Sequence, residues 1–175
     1  MDRLYLDTPT SLELTVTILG AFFCLTSYAV RLGIHLYEYR KAREMPKRFF
    51  PYLTVLITLG YLGWGFWCGY DPVKMRISDS SALSIGVSTT AVGFGLFLYA
   101  QIRRHRQAED SLITDGIYSK IRHPMYIGIL LLHFGYPFIL KSFTAVASVI
   151  LWLGFILTWR TYEERNLERR FHEVY

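Results

Sequence analysis

Long apolar stretches alternate with short polar ones along the whole chain. Apolar blocks run over Leu12–Val30, Pro51–Tyr70, Ala82–Ala100, Met125–Leu140 and Phe143–Trp159. A run of about 18 or more apolar residues can cross the hydrocarbon core of a bilayer as a helix. The first three blocks meet that length, and the last two are shorter. Only Lys141 and Ser142 separate those two, which predicts a tight helical hairpin. The pattern predicts an all-α, polytopic integral membrane protein with about five transmembrane helices. No internal repeat or low-complexity segment interrupts it. One membrane domain is expected over 1–175, with two N-terminal spans in 1–81 and a three-span core in 82–175.

The polar connections set the orientation. Arg40, Lys41, Arg43, Lys47 and Arg48 lie in one loop, and Arg103, Arg104, Arg106, Lys120 and Arg122 in another. Arg160, Arg165, Arg169 and Arg170 follow the last block, while the intervening connections are poor in Lys and Arg. Basic loops stay on the cytoplasmic side. The N-terminus is therefore expected outside and the C-terminus inside. Acidic Asp2 and Asp7 precede the first block, Glu13 stands at its start and no small-residue cleavage site follows it, so it reads as a retained span rather than a cleaved leader.

Composition agrees with this picture. Of 175 residues, 52% are hydrophobic, too many for a small soluble domain. The net charge of +5 is then topological, and no nucleic-acid partner is expected. Cys24 and Cys68 fall inside spans without metal-ligand spacing, so no metal is expected. Gly86, Gly93 and Gly95 suit close helix packing in the third span. Arg31 and His35 fall at the inner end of the first span, where snorkelling accounts for them. No span is read as carrying an ionisable residue at its centre, which disfavours an ion or proton pathway.

Ionisable and aromatic residues crowd together after residue 101. Thr114-Asp115-Gly116 is a turn signal. Pro124 suits the first position of a helix, which places His123 near its cap. In an antiparallel hairpin turning at Lys141–Ser142, residues whose numbers sum to about 283 share a depth. His123 is then level with Arg160, and Lys120 with Glu163. The mouth so formed offers a helix N-terminus and Arg122 for a carboxylate. It offers Glu163 and Glu164 for a cation or ribose hydroxyls. Tyr118, Tyr126, Trp159 and Tyr162 could stack on a base or sit against a cation. S-adenosylmethionine has that combination of groups; a nucleotide or a lipid headgroup would satisfy part of it.

Three stretches carry a family resemblance: L-I-T-D-G-I-Y (112–118), R-H-P-M-Y-I-G (122–128) and E-E-R-N-L-E-R-R-F-H-E-V-Y (163–175). On these the chain resembles the membrane-embedded isoprenylcysteine carboxyl methyltransferase and phospholipid methyltransferase group, over about residues 83–175. The resemblance implies an S-adenosylmethionine-dependent methyltransferase acting on a lipophilic or lipidated acceptor at the cytoplasmic membrane face. It implies that His123 and Tyr126 contact the cofactor, and that Ile113, Gly116 and Tyr118 form the wall beside the adenosine. It implies that Glu163 and Glu164 close the pocket, that Arg122 orients the acceptor or the cofactor carboxylate, and that Glu163 shares the catalytic work.

The same residues have plainer readings. Arg122 suits a positive-inside anchor, His123 a helix cap, the tyrosines an interfacial belt. Glu163 and Glu164 suit pairing with Arg160 or Arg165. Leu167, Phe171 and Tyr175 recur at four-residue steps as the stripe of a cytoplasmic amphipathic helix. The chain also departs from the family pattern. Asp110 stands where His is common, and the chain stops at Tyr175, where members commonly continue; a more open pocket or a truncated sequence is the expectation. Sterol reductases share a similar R-H-P-x-Y stretch, so an NADPH-dependent membrane reductase is one alternative, which the acidic pair disfavours. A non-catalytic carrier or assembly protein is the other.

Overall fold

Apolar helices of the expected order build the protein. A computed structural model describes residues 10–41, 46–106 and 113–170. Asp2, Asp7, Arg43, Asp110, Leu112, Phe171 and Tyr175 lie outside these residues. The helices are α1 (Ser11–Lys41), α2 (Phe50–Tyr70), α3 (Asp79–Arg106), α4 (Pro124–Ile139), α5 (Phe143–Ala147) and α6 (Val149–Arg170). Short 3-10 turns at Lys47–Phe49 and Gly116–Ser119 precede α2 and α4. Among the described residues there is no strand, only an isolated bridge between Lys74 and Ser142. The protein is an all-α polytopic membrane protein.

Four helical stretches are long and apolar enough to span: Ser11–Lys41, Pro51–Tyr70, Asp79–Arg104 and Phe143–Arg169. The shorter α4 has 16 residues, or about 24 Å at the α-helical rise. The last stretch outruns its apolar block. Backbone bonds from Ser148 to Thr144 (3.0 Å) and from Trp152 to Ser148 (3.1 Å) carry the helix across the α5–α6 junction. The helix thus continues from the fifth span to Arg170, and the acidic pair rides on it.

The chain divides into two compact units, residues 1–73 with 153–175, and residues 74–152. In the second unit, α3 and α4 pack antiparallel at very short range. A Cβ on Gly128 would lie 2.7 Å from the Phe97 nitrogen and 2.8 Å from the Gly93 oxygen. A Cβ on Gly93 would meet the Gly128 oxygen at 2.9 Å. Small residues let two helix backbones touch where lipid supplies no hydrophobic drive. Gly86 serves the same seam against Ile139, whereas Gly95 faces open space. The third-span glycines therefore divide, two packing and one not. The expected turn at Lys141–Ser142 is present: Lys141 has φ +53°. Lys141 pairs with Asp79, and its carbonyl accepts from the Met75 N–H at 2.7 Å.

His133 corrects the reading that no span holds an ionisable group at its centre. It lies in the middle of α4 and is 1% exposed. Its Nδ1–H donates to the Ile129 carbonyl at 2.9 Å, and its ring centroid is 5.6 Å from that of Trp152. A carbonyl only accepts, so Nδ1 carries the proton. The local bond offsets the cost of burying a polar ring.

In the first unit, α1 and α2 cross where Gly20 meets the Gly63 carbonyl. Thr17 Oγ1 donates to the Tyr70 carbonyl at 2.9 Å. Cys24 and Cys68 are buried.

Candidate functional site

The loop before α4 is shaped by a glycine and tied to α3. Gly116 has φ +62°, a region that side chains with a Cβ disfavour. A Cβ there would also run into the Tyr99 hydroxyl. Asp115, one residue earlier, pairs with Arg103. Tyr99 and Arg103 lie one turn apart on α3, so a single helix edge holds both halves of the turn. The Asp115 carboxyl is exposed, and the Arg103 guanidinium holds it below the usual carboxylate range. Ser119 Oγ donates to the Gly116 carbonyl at 2.7 Å and closes the turn.

The chain then passes through Lys120–Arg122 into α4. His123 is the N-cap (φ −127°, ψ 63°) and Pro124 follows inside the helix. This is the expected start, but the His123 side chain makes no capping bond. Its ring instead stacks on that of Tyr126, centroids 5.5 Å apart and planes inclined by 19°. Tyr126 is buried, while His123, Tyr118 and Ile113 are half-buried and Arg122 is exposed. The first N–H groups of α4 lie beside the stacked pair, with no carbonyl of their own helix to meet. The loop thus gathers Ile113, Gly116, Tyr118, His123 and Tyr126 within one short stretch of the second unit.

Glu163 and Glu164 belong to the first unit. Both are half-buried. Arg160 Nε donates to Glu164 Oε1 at 3.0 Å, so the plainer reading of Glu164 holds in part. Glu163 lies one turn beyond Trp159, which is 2% exposed. Trp159 packs against Tyr28 of α1, centroids 4.9 Å apart. Tyr162 packs against Tyr39 at 5.4 Å. Arg169 lies over the Tyr39 ring at 4.2 Å and donates to the Tyr39 carbonyl (3.0 Å) and hydroxyl (3.1 Å). A shallow open groove follows α6 past Leu157, Thr158, Thr161, Tyr162 and Arg165.

Residues 80–174 match the family model described as phospholipid methyltransferase. The chain belongs to that family. The matched residues include α3, the Gly116 turn, α4 and the acidic pair. The chain is also similar to a curated protein of Schizosaccharomyces pombe, protein-S-isoprenylcysteine O-methyltransferase, 36% identical over 72 residues. That alignment covers 40% of this chain and 30% of the relative. No solved structure matches the chain.

At the level of sequence Tyr99 had no assigned role, and Arg103 counted only among the basic residues that set orientation. Their i, i+4 spacing at the basic end of α3 was the available signal, since that spacing puts both on one face. The contact of α1 with Trp159 had no such signal, because nothing local pairs Tyr28 with a residue on α6.

Proposed function

We propose that this chain is an S-adenosylmethionine-dependent methyltransferase of the membrane, acting on a lipophilic acceptor at the cytoplasmic face. The observation that carries the reading is the family match across 80–174, which spans both the Gly116–Tyr126 stretch and the Glu163–Glu164 pair. The alternation of basic loops supports a site on the inner face and an N-terminus outside. Residues 82–175 are the catalytic three-span core of a single membrane domain, and 1–81 support it.

The residues present fit the cofactor. Gly116 presents exposed backbone, with the Tyr99 hydroxyl in the space that a side chain would take. The stacked His123–Tyr126 pair offers an aromatic edge and face. Half-buried Glu163 and Glu164 favour a cationic group. Ile113, Gly116 and Tyr118 would flank the adenosine, His123 and Tyr126 would contact the cofactor, and the acidic pair would close on its cationic end. The bound cofactor supplies a methyl group on a sulfonium centre.

The chain's own residues contribute position and charge. Arg122, exposed at the mouth of α4, orients the acceptor or the cofactor carboxylate through its planar fork. Holding two reactants in line contributes a large part of such a rate enhancement. An acceptor that is already a carboxylate needs no general base. An amine or thiol acceptor would pass its proton to Glu163 or His123. The Schizosaccharomyces pombe relative's name points to an isoprenylcysteine-type carboxylate.

The test is binding of S-adenosylhomocysteine to the purified protein, followed by methyl transfer from labelled cofactor to a lipid extract. Binding in detergent or in lipid, with labelled product, is the expected result. No binding in either medium overturns the reading.

A further inference from the structure

Arg31 of α1 is half-buried. Its guanidinium lies over the Trp159 ring, 5.2 Å from the centroid. Its Nε is buried and has no hydrogen-bond partner. Among the described residues, no carboxylate pairs with it. Tyr28 packs on the same Trp159 ring at 4.9 Å, and His35 lies 6.2 Å from it. A permanent cation is therefore held against an aromatic wall at the inner end of the first span, with fork donors to spare.

The chemistry of that arrangement is selective. A guanidinium cannot give up its proton, and a ring face satisfies its charge but none of its N–H groups. The group that satisfies both is an oxyanion, bound by two parallel hydrogen bonds. Trp159 is one helical turn from Glu163, or about 6 Å along the axis. An oxyanion on Arg31 would therefore lie within a turn of the acidic pair. Arg31 is also outside the residues that match the family, so it would be a feature this chain adds to the common core.

We propose that Arg31, braced on Trp159, recognises the carboxylate of the lipid-borne methyl acceptor, making the first span part of the acceptor site. This rests on the methyltransferase reading for its biological meaning, but its test is a binding ratio that needs no methyl transfer. A membrane phospholipid could present a similar oxyanion, so the test separates the two sources.

The full-length protein is placed in phosphatidylcholine nanodiscs. Binding of N-acetyl-S-farnesylcysteine is compared with binding of its methyl ester, which differs only in lacking the anion. The acid is expected to bind the wild type at least about tenfold tighter than the ester, as a charge-assisted pair provides. Arg31→Gln is expected to bring that ratio to about one, and Arg31→Lys, a point charge without the fork, to an intermediate value. Thermal unfolding and S-adenosylhomocysteine affinity should stay near wild type in both. If Arg31→Gln fails to fold, Trp159→Phe supplies the second variant and is expected to reduce the ratio. A wild type without acid preference, or a preference that survives in Arg31→Gln or Trp159→Phe, overturns the proposal. Loss of the preference on adding phosphatidylglycerol at a few mole per cent also overturns it, because the site then reads a general anionic headgroup. Failure of methyl transfer with the ratio intact counts against the proposed activity and leaves the oxyanion site standing.

Discussion

The Arg103 guanidinium of α3 is paired with the Asp115 carboxylate, and the residue after Asp115 is the left-handed Gly116. The pair is exposed, so its value lies in where it holds the loop rather than in net stability. On the proposed function, Asp115→Asn is expected to leave the thermal midpoint near wild type while raising the KM for the methyl donor severalfold with little change in kcat. The exchanged pair Arg103→Asp with Asp115→Arg should recover most of the loss. Equal changes in kcat and KM, or no recovery on exchange, would count against positioning.

The same pair sets a pH expectation. Arg103 lowers the Asp115 pKa in the folded protein. Its contribution is therefore present above the ordinary carboxylate pKa of about 3.9 and fades as pH falls through the depressed value. Donor affinity should not vary through this pair between about pH 5 and 8. Below about pH 4 it should weaken, and Asp115→Asn should flatten that acid limb. Titration of donor affinity in wild type and variant gives the comparison.

Gly116→Ala meets two obstacles. The left-handed backbone costs an alanine about 1–2 kcal/mol, and its Cβ meets the Tyr99 hydroxyl. Tyr99→Phe removes the second obstacle and leaves the first. In a double-mutant cycle, Tyr99→Phe should therefore recover part of the stability lost in Gly116→Ala. Strictly additive effects on the unfolding midpoint would show that Tyr99 does not press on the turn.

Gly128 and Gly95 provide a matched pair within the second unit. A Cβ on Gly128 meets backbone of α3, which cannot rotate away; a Cβ on Gly95 meets nothing within 4 Å. Gly128→Ala should destabilise the protein by about 1–3 kcal/mol, the usual cost of overpacking. Gly95→Ala should be close to neutral. Thermal unfolding in one detergent, with both variants side by side, decides between this and a uniform glycine effect.

The acidic residues should behave unequally. Arg160 engages Glu164 at 3.0 Å, and Glu163 stands one turn beyond buried Trp159. On the proposed function, Glu163→Gln should weaken S-adenosylhomocysteine by about tenfold. Glu164→Gln should weaken it less. The reverse order in calorimetry would assign the cationic end of the cofactor to Glu164.

Local signals announced much of the site. The Thr-Asp-Gly stretch is a turn, Pro124 opens α4 behind His123, and the chain reverses at Lys141. Each depends on the backbone preference of one or two residues, which the residue type itself carries. His133 was also legible, since it stands inside an apolar block, yet a reading by average hydropathy passes over a single imidazole among leucines. The role of His123 was only half visible: its position at the cap is local, but its stacking on Tyr126 depends on rotamers that the helix start imposes.

By itself the sequence determined the number and order of the apolar helices, the alternation of basic loops and the family. Transfer from water to lipid is additive over a window of residues, so it needs no knowledge of neighbours. Only the tertiary structure decided that Arg103 meets Asp115, that Tyr99 closes on Gly116, that two of three α3 glycines carry the seam, and that Arg31 lies on Trp159. Those contacts join residues far apart in the chain. They follow from which faces of the helices pack together, and side-chain packing, not hydropathy, makes that choice.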